Sequence, residues 1–268
     1  MIRLIASDLD GTLLEADGSL PDGIFDVISE LQQLGIHFAA ASGRQPGNLM
    51  RLFSHAAEHM AFVCENGAVN IVDGNDAGIV TFDRSAAFEV IRDLESLGMD
   101  VLVSGRQTCY MVDANRKFTD DIVYRLKNTS TIISSWEQIK EPILKVSGHA
   151  ETGVGALAPF LLQKWGDRLT ATVSGRTWFD LTVANKGTGM KILMDYLKVS
   201  PKETVAFGDN FNDVSMFDAV GHPFLMKNAD IKLRQDGMRL CEKVLPVLKE
   251  IVKARGNAEI AFKKYGKI

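Results

Sequence analysis

Two aspartates separated by one residue lie near the start of the chain, directly after a short apolar run. Residues Ile2–Ser7 form that run, and Asp8-Leu9-Asp10-Gly11-Thr12 follows it. Two carboxylates this close bind one hard cation and repel each other, so one can stay ionised as a nucleophile while the other transfers a proton. Gly11 permits a sharp change of chain direction after them. An acidic surface turn is the alternative, because Asp-Gly is a common turn pair.

A serine, a glycine and an arginine follow a second apolar run. The segment Ser42-Gly43-Arg44 comes directly after Ala39-Ala40-Ala41. A hydroxyl and a backbone amide at the start of a helix hold phosphate oxygens, because both donate hydrogen bonds to an anion. The alternative is an ordinary serine N-cap of a helix, which needs no ligand.

A lysine lies between an asparagine and a glycine, just before a later helical pattern. In Asn185-Lys186-Gly187-Thr188-Gly189, the Lys186 ammonium can neutralise a phosphate or a carboxylate nucleophile. The segment is not a Walker loop, because the glycines that such a loop places before its lysine are missing. A solvated lysine in a loop is the alternative.

Acids and amides are concentrated after another apolar run, Thr204–Phe207. The segment Gly208-Asp209-Asn210-Phe211-Asn212-Asp213 offers hard oxygen ligands, which suit Mg²⁺ better than softer metals. A capped helix start, with Asn212 or Asp213 as the cap, is the alternative. That alternative leaves Asp209, at the end of the predicted strand, unexplained.

Each of these segments is expected to follow a strand of the core, and the pattern of elements indicates where they meet. Strands are predicted at Ile2–Ser7, Ile36–Ala41, Ala61–Cys64 and Thr204–Phe207. Helices are predicted by apolar residues at helical spacing (Ile24, Val27, Ile28, Leu31 and Leu34), and also through Leu52 and over Thr188–Leu197, Asp213–Ala219 and Glu242–Lys253. Alternating strands and helices predict a parallel sheet, and ligands bind at the carboxyl ends of its strands.

Residues 82–182 have a different pattern, which predicts an inserted domain. Helices are predicted at Ala86–Leu97, Phe118–Leu126 and Gly153–Trp165, and strands at Asp100–Ser104, Cys109–Val112, Leu144–Gly148, Leu169–Ser174 and Trp178–Thr182. We therefore predict a core domain from residues 1–81 and 183–268, interrupted by a mixed α/β domain. The insert is expected to close over the crevice and contact the non-phosphate part of the substrate.

Composition excludes several classes of protein. Hydrophobic residues make up 46% of the 268 residues and charged residues 24%, which is typical of a globular protein. The net charge of −4 without a basic block argues against nucleic-acid binding, and the short first apolar run argues against a membrane anchor. Three scattered cysteines (Cys64, Cys109 and Cys241) predict reduced, buried thiols in a cytoplasmic protein. The oligomeric state is left open.

Taken together, the four segments resemble the motifs of the haloacid dehalogenase (HAD) superfamily. These are an Asp-x-Asp-Gly-Thr segment, a serine or threonine at a strand end, a lysine and a Gly-Asp-x-x-x-Asp segment. The insert of about a hundred residues after Ser42-Gly43-Arg44 resembles the α/β (C2B-like) cap of the Cof-type branch. The stretch Glu65-Asn66-Gly67-Ala68 also matches one frequent there. The resemblance implies a Rossmann-like parallel-sheet core with an inserted mixed α/β cap domain.

The resemblance also implies roles for individual residues. Asp8 would be the nucleophile, Asp10 the general acid and base, and Lys186 the partner of Asp8 and the phosphoryl group. Mg²⁺ would be the cofactor, bound by Asp8, Asp10, Asp209 and Asp213, with Asp10 contributing its backbone carbonyl and Asp213 bracing Lys186 or a metal-bound water. The phosphate would contact Leu9, Ser42, Gly43, Lys186 and Asn212. Candidate substrate contacts are Arg44, Asn66, Arg106 and Arg176, although Arg106 and Arg176 are equally explained as exposed arginines of Ser-Gly-Arg loops.

The expected activity is Mg²⁺-dependent hydrolysis of a small phosphorylated metabolite through an aspartyl-phosphate. Phosphomutase or phosphotransferase activity with the same phospho-aspartate is an alternative, and a non-catalytic phospho-ligand sensor is another. His55-Ala56-Ala57-Glu58-His59 fits a zinc-peptidase pattern, but an exposed helix end explains the same residues. A membrane ion pump is excluded, because no apolar run is long enough to span a bilayer.

Overall fold

The computed structural model describes residues 1–112 and 115–268. Its strands are β1 Leu4–Ser7, β2 His37–Ala41, β3 Ala61–Cys64, β4 Val69–Val72, β5 Asn75–Ile79, β6 Asp100–Gly105, β7 Cys109–Val112, β8 Ser130–Ile133, β9 Ile143–His149, β10 Thr170–Ser174, β11 Trp178–Thr182, β12 Thr204–Gly208, β13 His222–Met226 and β14 Arg239–Cys241. Its α-helices are α1 Ile24–Gln33, α2 Pro46–Leu52, α3 Arg84–Ser96, α4 Arg116–Asp120, α5 Ala158–Trp165, α6 Lys186–Leu197, α7 Val214–Ala219, α8 Val244–Lys253 and α9 Ala258–Ala261. Shorter helical turns cover Leu9–Leu13, Ala57–His59, Glu65–Gly67, Asp121–Arg125, Trp136–Gln138, Pro201–Glu203, Phe211–Asp213 and Ile231–Leu233.

The described residues divide into two compact units. One is built from Met1–Gly78 and Asn185–Ile268, and the other from Ile79–Ala184. The sequence analysis placed the corresponding borders at 81/82 and 182/183. Each unit has its own sheet.

The first unit is organised around a sheet in the order β14-β13-β12-β1-β2-β3-β4-β5. The strands from β14 to β3 pair in parallel, and β4 pairs antiparallel with β3. Strand β1 lies between β12 and β2, so the chain segments that leave these three strands are neighbours. This arrangement confirms the predicted α/β fold with a parallel-sheet core.

Both faces of this sheet are covered by helices. Alternate residues of a strand point to opposite faces, and on one face small strand residues pack against α6 and α7. The members of this cluster include Leu4, Ala6, Ala39, Ala41, Val63, Ala206, Met190, Leu193 and Phe217. Helices α1 and α8 pack against each other, and the apolar positions of α1 are buried as its periodicity predicted. Gly35, with φ of 71°, follows the end of α1.

One hairpin of the first unit was not predicted. Strands β4 and β5 are neighbours joined by Asp73 and Gly74, whose φ angles of 48° and 76° are both positive. A two-residue Asp-Gly connection with two positive φ angles is typical of a type I′ hairpin turn. The signal was therefore present in the sequence.

The second unit has a sheet in the order β10-β11-β9-β6-β7-β8. Its pairs are antiparallel except for β7 with β8, and β8 is a strand that the sequence analysis missed. Apolar residues of α3 and α5 pack on one face, and Phe118 and Ile122 belong to a smaller cluster with residues of β6 and β7. Helix α5 begins at Ala158 rather than at the predicted Gly153, because Gly153 has a φ of 107° and Pro159 favours a first helical turn.

Among the described residues, no helix combines the length and apolar character needed to cross a bilayer. The three cysteines are free thiols, and each is buried, as predicted.

Candidate active site

The carboxyl ends of β1, β2 and β12 bring three of the four predicted segments to one edge of the sheet. Ser7 is in register with Phe207 of β12 and Ala40 of β2, so the residues that follow these strands lie side by side. The Asp8 amide continues the ladder by donating to the Phe207 carbonyl at 2.9 Å. Asp8, Ser42 and Asp209 therefore leave neighbouring strands at the same edge.

The centre of the site is a buried lysine between two carboxylates. Lys186 Nζ lies 2.6 Å from Asp8 Oδ1 and 2.6 Å from Asp213 Oδ1. The Lys186 and Asp213 side chains are fully buried, which excludes the solvated-lysine alternative. Movement of Lys186 would break its hydrogen bonds to both carboxylates, so the ammonium is held in place. The fixed ammonium in turn orients the Asp8 carboxylate through a charge-assisted hydrogen bond.

The start of α6 explains how Lys186 enters the site. Asn185 Oδ1 accepts from the Thr188 amide at 2.8 Å, so Asn185 is the N-cap and Lys186 the first helical residue. The Gly187 amide donates to Ser215 Oγ at 3.1 Å, and a side chain at Gly187 would collide with the Ser215 carbonyl. The glycine beside the lysine therefore lets α6 lie close to α7.

Asp213 uses both of its carboxylate oxygens within the protein. Oδ1 accepts from Lys186, and Oδ2 accepts from the amides of Asp209 and Asn210 at 3.0 Å each. Asp213 does not cap α7 with its side chain, but the turn Phe211–Asp213 is capped by Asn210, whose amide donates to Asp213 in a capping box. The contacts of Asp213 fix the turn that carries Asp209 and hold Lys186 in place.

Asp209 is half-buried at the end of β12 and is held by Thr12. Thr12 Oγ1 donates to Asp209 Oδ1 at 3.1 Å. Thr12 belongs to the first predicted segment, but no role was predicted for it. The available signal was the glycine that precedes Thr12. Gly11 has a φ of 86°, and a side chain there would collide with the Asp209 carboxylate, so a glycine at this position lets the turn lie close to Asp209.

Electrostatics favour the presence of a cation among these acids. Burial raises the pKa of Asp8 above its ordinary value, against the attraction of Lys186, and burial also raises the pKa of Asp209. Burial acts against the charge of Lys186, but Asp8 and Asp213 raise its pKa overall. Carboxylate oxygens of Asp8 and Asp209 also lie within 4.8 Å of each other. Two carboxylates at that separation need a shared proton or a cation between them.

The donor set fits a hard divalent cation. Carboxylate oxygens of Asp8, Asp209 and Asp213 lie within 4.8 Å of one another. Oxygen-only ligands of this kind suit Mg²⁺, and no histidine or cysteine belongs to the group. Of the three, Asp8 and Asp209 have the freer oxygens, because those of Asp213 already accept three hydrogen bonds.

The segment after β2 forms a compact loop rather than a helix start. Helix α2 begins at Pro46 with Gln45 at the N-cap, so Ser42 is not the helix cap that the alternative required. Ser42 is buried, and its carbonyl accepts from the Asn66 amide at 3.1 Å. Its hydroxyl accepts from the Arg44 amide at 3.3 Å and keeps its own proton available.

Asn66 lies against this loop in a strained conformation. It has a φ of 54° and follows Glu65, whose φ is 49°. The Asn66 side chain contacts Gly43, with Nδ2 3.2 Å from the place where a Cβ would be. Its Oδ1 is buried without a hydrogen-bond partner. A strained residue with an unsatisfied buried acceptor is common at ligand sites.

The other predicted site residues range from buried to exposed. Asp10 is exposed, and Arg44 Nη2 donates to its Oδ1 at 2.6 Å. Leu9 is buried in the turn after Asp8, and Asn212 is half-buried in the turn after β12. Arg106 and Arg176 belong to the second unit, where Arg106 is half-buried and Arg176 is exposed. The Arg176 guanidinium donates to the backbone carbonyls of Glu151 and Thr152.

The zinc-peptidase pattern does not form a metal site. Among the described residues, the candidate metal group consists of Asp8, Asp209 and Asp213. His55, Glu58 and His59 are exposed, and only one helical turn, Ala57–His59, covers that segment. The His55 ring instead lies edge-on to Phe25, at 5.3 Å between centroids.

Comparison with known proteins adds independent information to this geometry. Residues 5–237 match the family of haloacid dehalogenase-like hydrolases. The chain is also similar to the 5-amino-6-(5-phospho-D-ribitylamino)uracil phosphatase YbjI of Escherichia coli. The two are 26% identical over 239 residues, which cover 85% of this chain and 86% of that protein.

Solved structures share the fold. A haloacid dehalogenase-like hydrolase from Bacillus subtilis superposes with a TM-score of 0.79 at 23% identity, covering 94% of this chain and 99% of that one. A sugar phosphatase of HAD subclass IIB superposes with a TM-score of 0.74 at 16% identity, covering 98% of each chain. At these identities the likeness concerns the fold, and it agrees with the α/β architecture described above.

Proposed function

The chain belongs to the haloacid dehalogenase-like hydrolases, and we propose that it is a Mg²⁺-dependent phosphatase of small phosphorylated metabolites that forms an aspartyl-phosphate on Asp8. One observation carries the proposal. Asp8 is buried, with Lys186 2.6 Å away and the Asp209 carboxylate beside it. The phosphatase activity named for the relative from Escherichia coli supports the same reaction class.

The reaction proceeds in two displacements. In the first, a carboxylate oxygen of Asp8 forms a bond to phosphorus while the bond from phosphorus to the ester oxygen breaks, and Asp10 gives that oxygen a proton. In the second, Asp10 takes a proton from water, whose oxygen bonds to phosphorus as the bond to Asp8 breaks. Inorganic phosphate leaves, and both aspartates return to their starting states. Splitting the reaction in this way replaces one difficult displacement with two easier ones.

The surrounding groups compensate the negative charge of the phosphate. Lys186 holds Asp8 in position and neutralises the phosphoryl oxygens, which also accept from the Ser42 hydroxyl, the amides of Leu9 and Gly43, and Asn212. Asp8, Asp209 and the Asp10 carbonyl would hold Mg²⁺, whereas Asp213 positions Lys186. When bound, Mg²⁺ supplies charge stabilisation and reduces the repulsion between the substrate and Asp8.

The substrate is proposed to be a phosphorylated small molecule, such as a sugar phosphate or a phosphorylated cofactor. Asn66 is a candidate contact in the first unit, because its buried amide oxygen has no partner. Arg106 and Arg176 are the candidates in the second unit. The relatives are named as phosphatases, which favours hydrolysis over phosphoryl transfer to a second substrate.

Replacement of the nucleophile tests the proposal directly. Asp8→Asn is expected to reduce phosphate release at least about a thousandfold, because an amide oxygen cannot take the place of the carboxylate. The matched control is Asp236→Asn, an equal change at an exposed aspartate, which should retain the rate of the unmodified protein. Circular dichroism of both variants verifies that the fold is kept.

Product analysis separates the candidate reactions. Free phosphate in equal amount to the dephosphorylated product indicates hydrolysis, whereas an isomerised phospho-sugar indicates a mutase. Phosphate release by Asp8→Asn at an undiminished rate would refute the assignment of the nucleophile. Binding of phosphorylated metabolites without turnover in the presence of Mg²⁺ would instead support the sensor.

A further inference from the structure

We propose that Arg44 is a positioning residue, which holds the Asp10 carboxylate in the orientation needed for proton transfer to the leaving group. The proposal rests on the proposed function and adds a residue to its acid and base machinery. It differs from the role expected from the sequence, in which Arg44 contacts the substrate. The observation behind it is the contact between the two side chains, with Arg44 Nη2 2.6 Å from Asp10 Oδ1.

Asp10 needs such a partner because little else restrains it. Its side chain is 65% exposed, and its backbone has the extended angles φ −74° and ψ 115° within the turn after β1. Across residues 1–112 and 115–268, Arg44 is the one side chain that hydrogen-bonds the Asp10 carboxylate. An exposed carboxylate without a partner samples several rotamers, and most of them direct its oxygens away from a given leaving group.

Arg44 is itself anchored on both sides of its Cα. Its amide donates to Ser42 Oγ at 3.3 Å, and its carbonyl accepts from the Glu65 amide at 3.1 Å. The arginine therefore extends from a backbone fixed between the segments that follow β2 and β3. A side chain that starts from a fixed backbone can hold its partner in a defined place.

The contact divides the two oxygens of Asp10 between two tasks. Oδ1 accepts from Arg44, which leaves Oδ2 to carry the proton to the leaving oxygen and later to take one from water. An arginine can do this in both half-reactions, because its guanidinium can donate to the acid as well as to the carboxylate and keeps its own protons.

Leaving-group dependence distinguishes this role from phosphate binding. An alkyl phosphate needs a proton on its departing oxygen, whereas p-nitrophenyl phosphate releases a stable anion and needs none. A residue that positions the acid should therefore matter for the first substrate and little for the second. A residue that binds the phosphoryl group, or only supports the fold, should affect both equally.

The experiment measures kcat/KM for glycerol phosphate and p-nitrophenyl phosphate with the full-length chain and Mg²⁺. This ratio reports the steps up to the first irreversible one, so a slow second half-reaction does not hide the effect. For Arg44→Met, kcat/KM is expected to fall on the order of a hundredfold with glycerol phosphate but less than about threefold with p-nitrophenyl phosphate. Arg44→Lys should recover part of the loss, because a lysine can donate a single hydrogen bond.

Two further variants complete the test. Arg234→Met, the same change at an exposed arginine of the same unit, should behave as the unmodified protein with both substrates. Asp10→Asn should show the same selective loss as Arg44→Met, and the double variant should be no worse than Asp10→Asn alone, because the arginine acts through the aspartate.

An equal loss with both substrates, or losses that multiply in the double variant, would overturn the role of Arg44. Asp8→Asn measured alongside separates that result from a failure of the proposed function. If Asp8→Asn loses activity on both substrates while Arg44→Met shows no selectivity, only the positioning role is wrong. If Asp8→Asn remains active on both, the aspartyl-phosphate chemistry is wrong.

Discussion

The two units of this protein each bury an aspartate, and the partners of the two carboxylates differ in kind. Asp213 of the first unit accepts from the Lys186 ammonium and two backbone amides. Asp180 of the second unit accepts from the hydroxyls of Ser147 at 2.6 Å and Ser174 at 2.7 Å. Lys145 lies farther away, 4.0 Å from Asp180 Oδ2.

The two environments differ in the side chains that they can accommodate at the position of the aspartate. Ammonium and amide groups only donate, so every atom that faces them must accept. A serine hydroxyl can rotate and accept instead of donating. The Asp213 site therefore requires a carboxylate at every contact, whereas at the Asp180 site both serines can accommodate a neutral amide and only Lys145, at 4.0 Å, favours a charge. The network that requires charge belongs to the unit that carries the candidate active site.

The same substitution in both units gives the largest expected contrast. Asp213→Asn is expected to lower the free energy of unfolding by about 3 kcal/mol, because an amide NH₂ would face only donors and Lys186 would lose a buried partner. Phosphate release should fall on the order of a hundredfold as Lys186 loses its position. Asp180→Asn should cost only about 1 kcal/mol and leave phosphate release nearly unchanged, because the serine hydroxyls can reorient.

Urea denaturation followed by two signals measures this contrast. The three tryptophans, Trp136, Trp165 and Trp178, all lie in the second unit, so their fluorescence reports the unfolding of that unit. Circular dichroism reports both units. Equal losses of stability in the two variants would show that the two carboxylate environments do not differ as described.

A divalent cation should stabilise only the unit that carries the acidic group. At a concentration of about a hundred times its Kd, Mg²⁺ is expected to add about 2.7 kcal/mol to the stability of the unit that binds it. Asp209→Asn should remove most of this gain, and Asp236→Asn should keep it. Thermal denaturation with Mg²⁺ or with EDTA measures the change in the unfolding temperature. If Mg²⁺ changed only the transition followed by tryptophan fluorescence, the cation would bind to the second unit and the prediction would be wrong.

The pH dependence of stability tests the same acidic group without a substitution. Burial raises the pKa of Asp8 from 3.8 to about 7, and that of Asp209 also lies above its ordinary value. Between about pH 4 and about pH 7 the folded state therefore binds more protons than the unfolded state, so this contribution to stability decreases as the pH rises. Mg²⁺ should flatten the dependence, because it favours the ionised carboxylates.

Thermal denaturation across this pH range, with EDTA and with Mg²⁺, tests the effect. The difference between the two series isolates the acids at the cation site from other titrating groups. Parallel curves in the two series would show that Asp8 and Asp209 do not respond to the cation.

Much of the fold follows from local sequence patterns. The spacing of Ile24, Val27, Ile28 and Leu31 predicts α1, and the short apolar runs predict β1, β2, β3 and β12. Strands β4, β5, β8, β13 and β14 were not predicted. The β4–β5 hairpin has a turn signal at Asp73-Gly74, whereas β8 pairs in parallel with β7 and has two exposed residues among its four, so its pattern is weak.

The candidate site was predictable in its residue types but not in its contacts. Lys186 could be read as a solvated loop lysine, and its burial between Asp8 and Asp213 depends on how α6 packs near α7. The Thr12–Asp209 hydrogen bond joins residues 197 positions apart, and no local pattern encodes such a pair. The Arg44–Asp10 contact likewise joins segments after different strands.

By itself, the sequence determined the alternation of strands and helices in the core, the chemistry available at the strand ends and the family of hydrolases to which the chain belongs. These features depend on the period of apolar residues and on residue types, which are local properties. Only the tertiary structure decided which of the acids faces Lys186, which is held by Thr12 and which by Arg44. The register of the parallel strands brings the segments after β1, β2 and β12 side by side at the edge of the sheet, and the packing of α6 near α7 places Lys186 between Asp8 and Asp213.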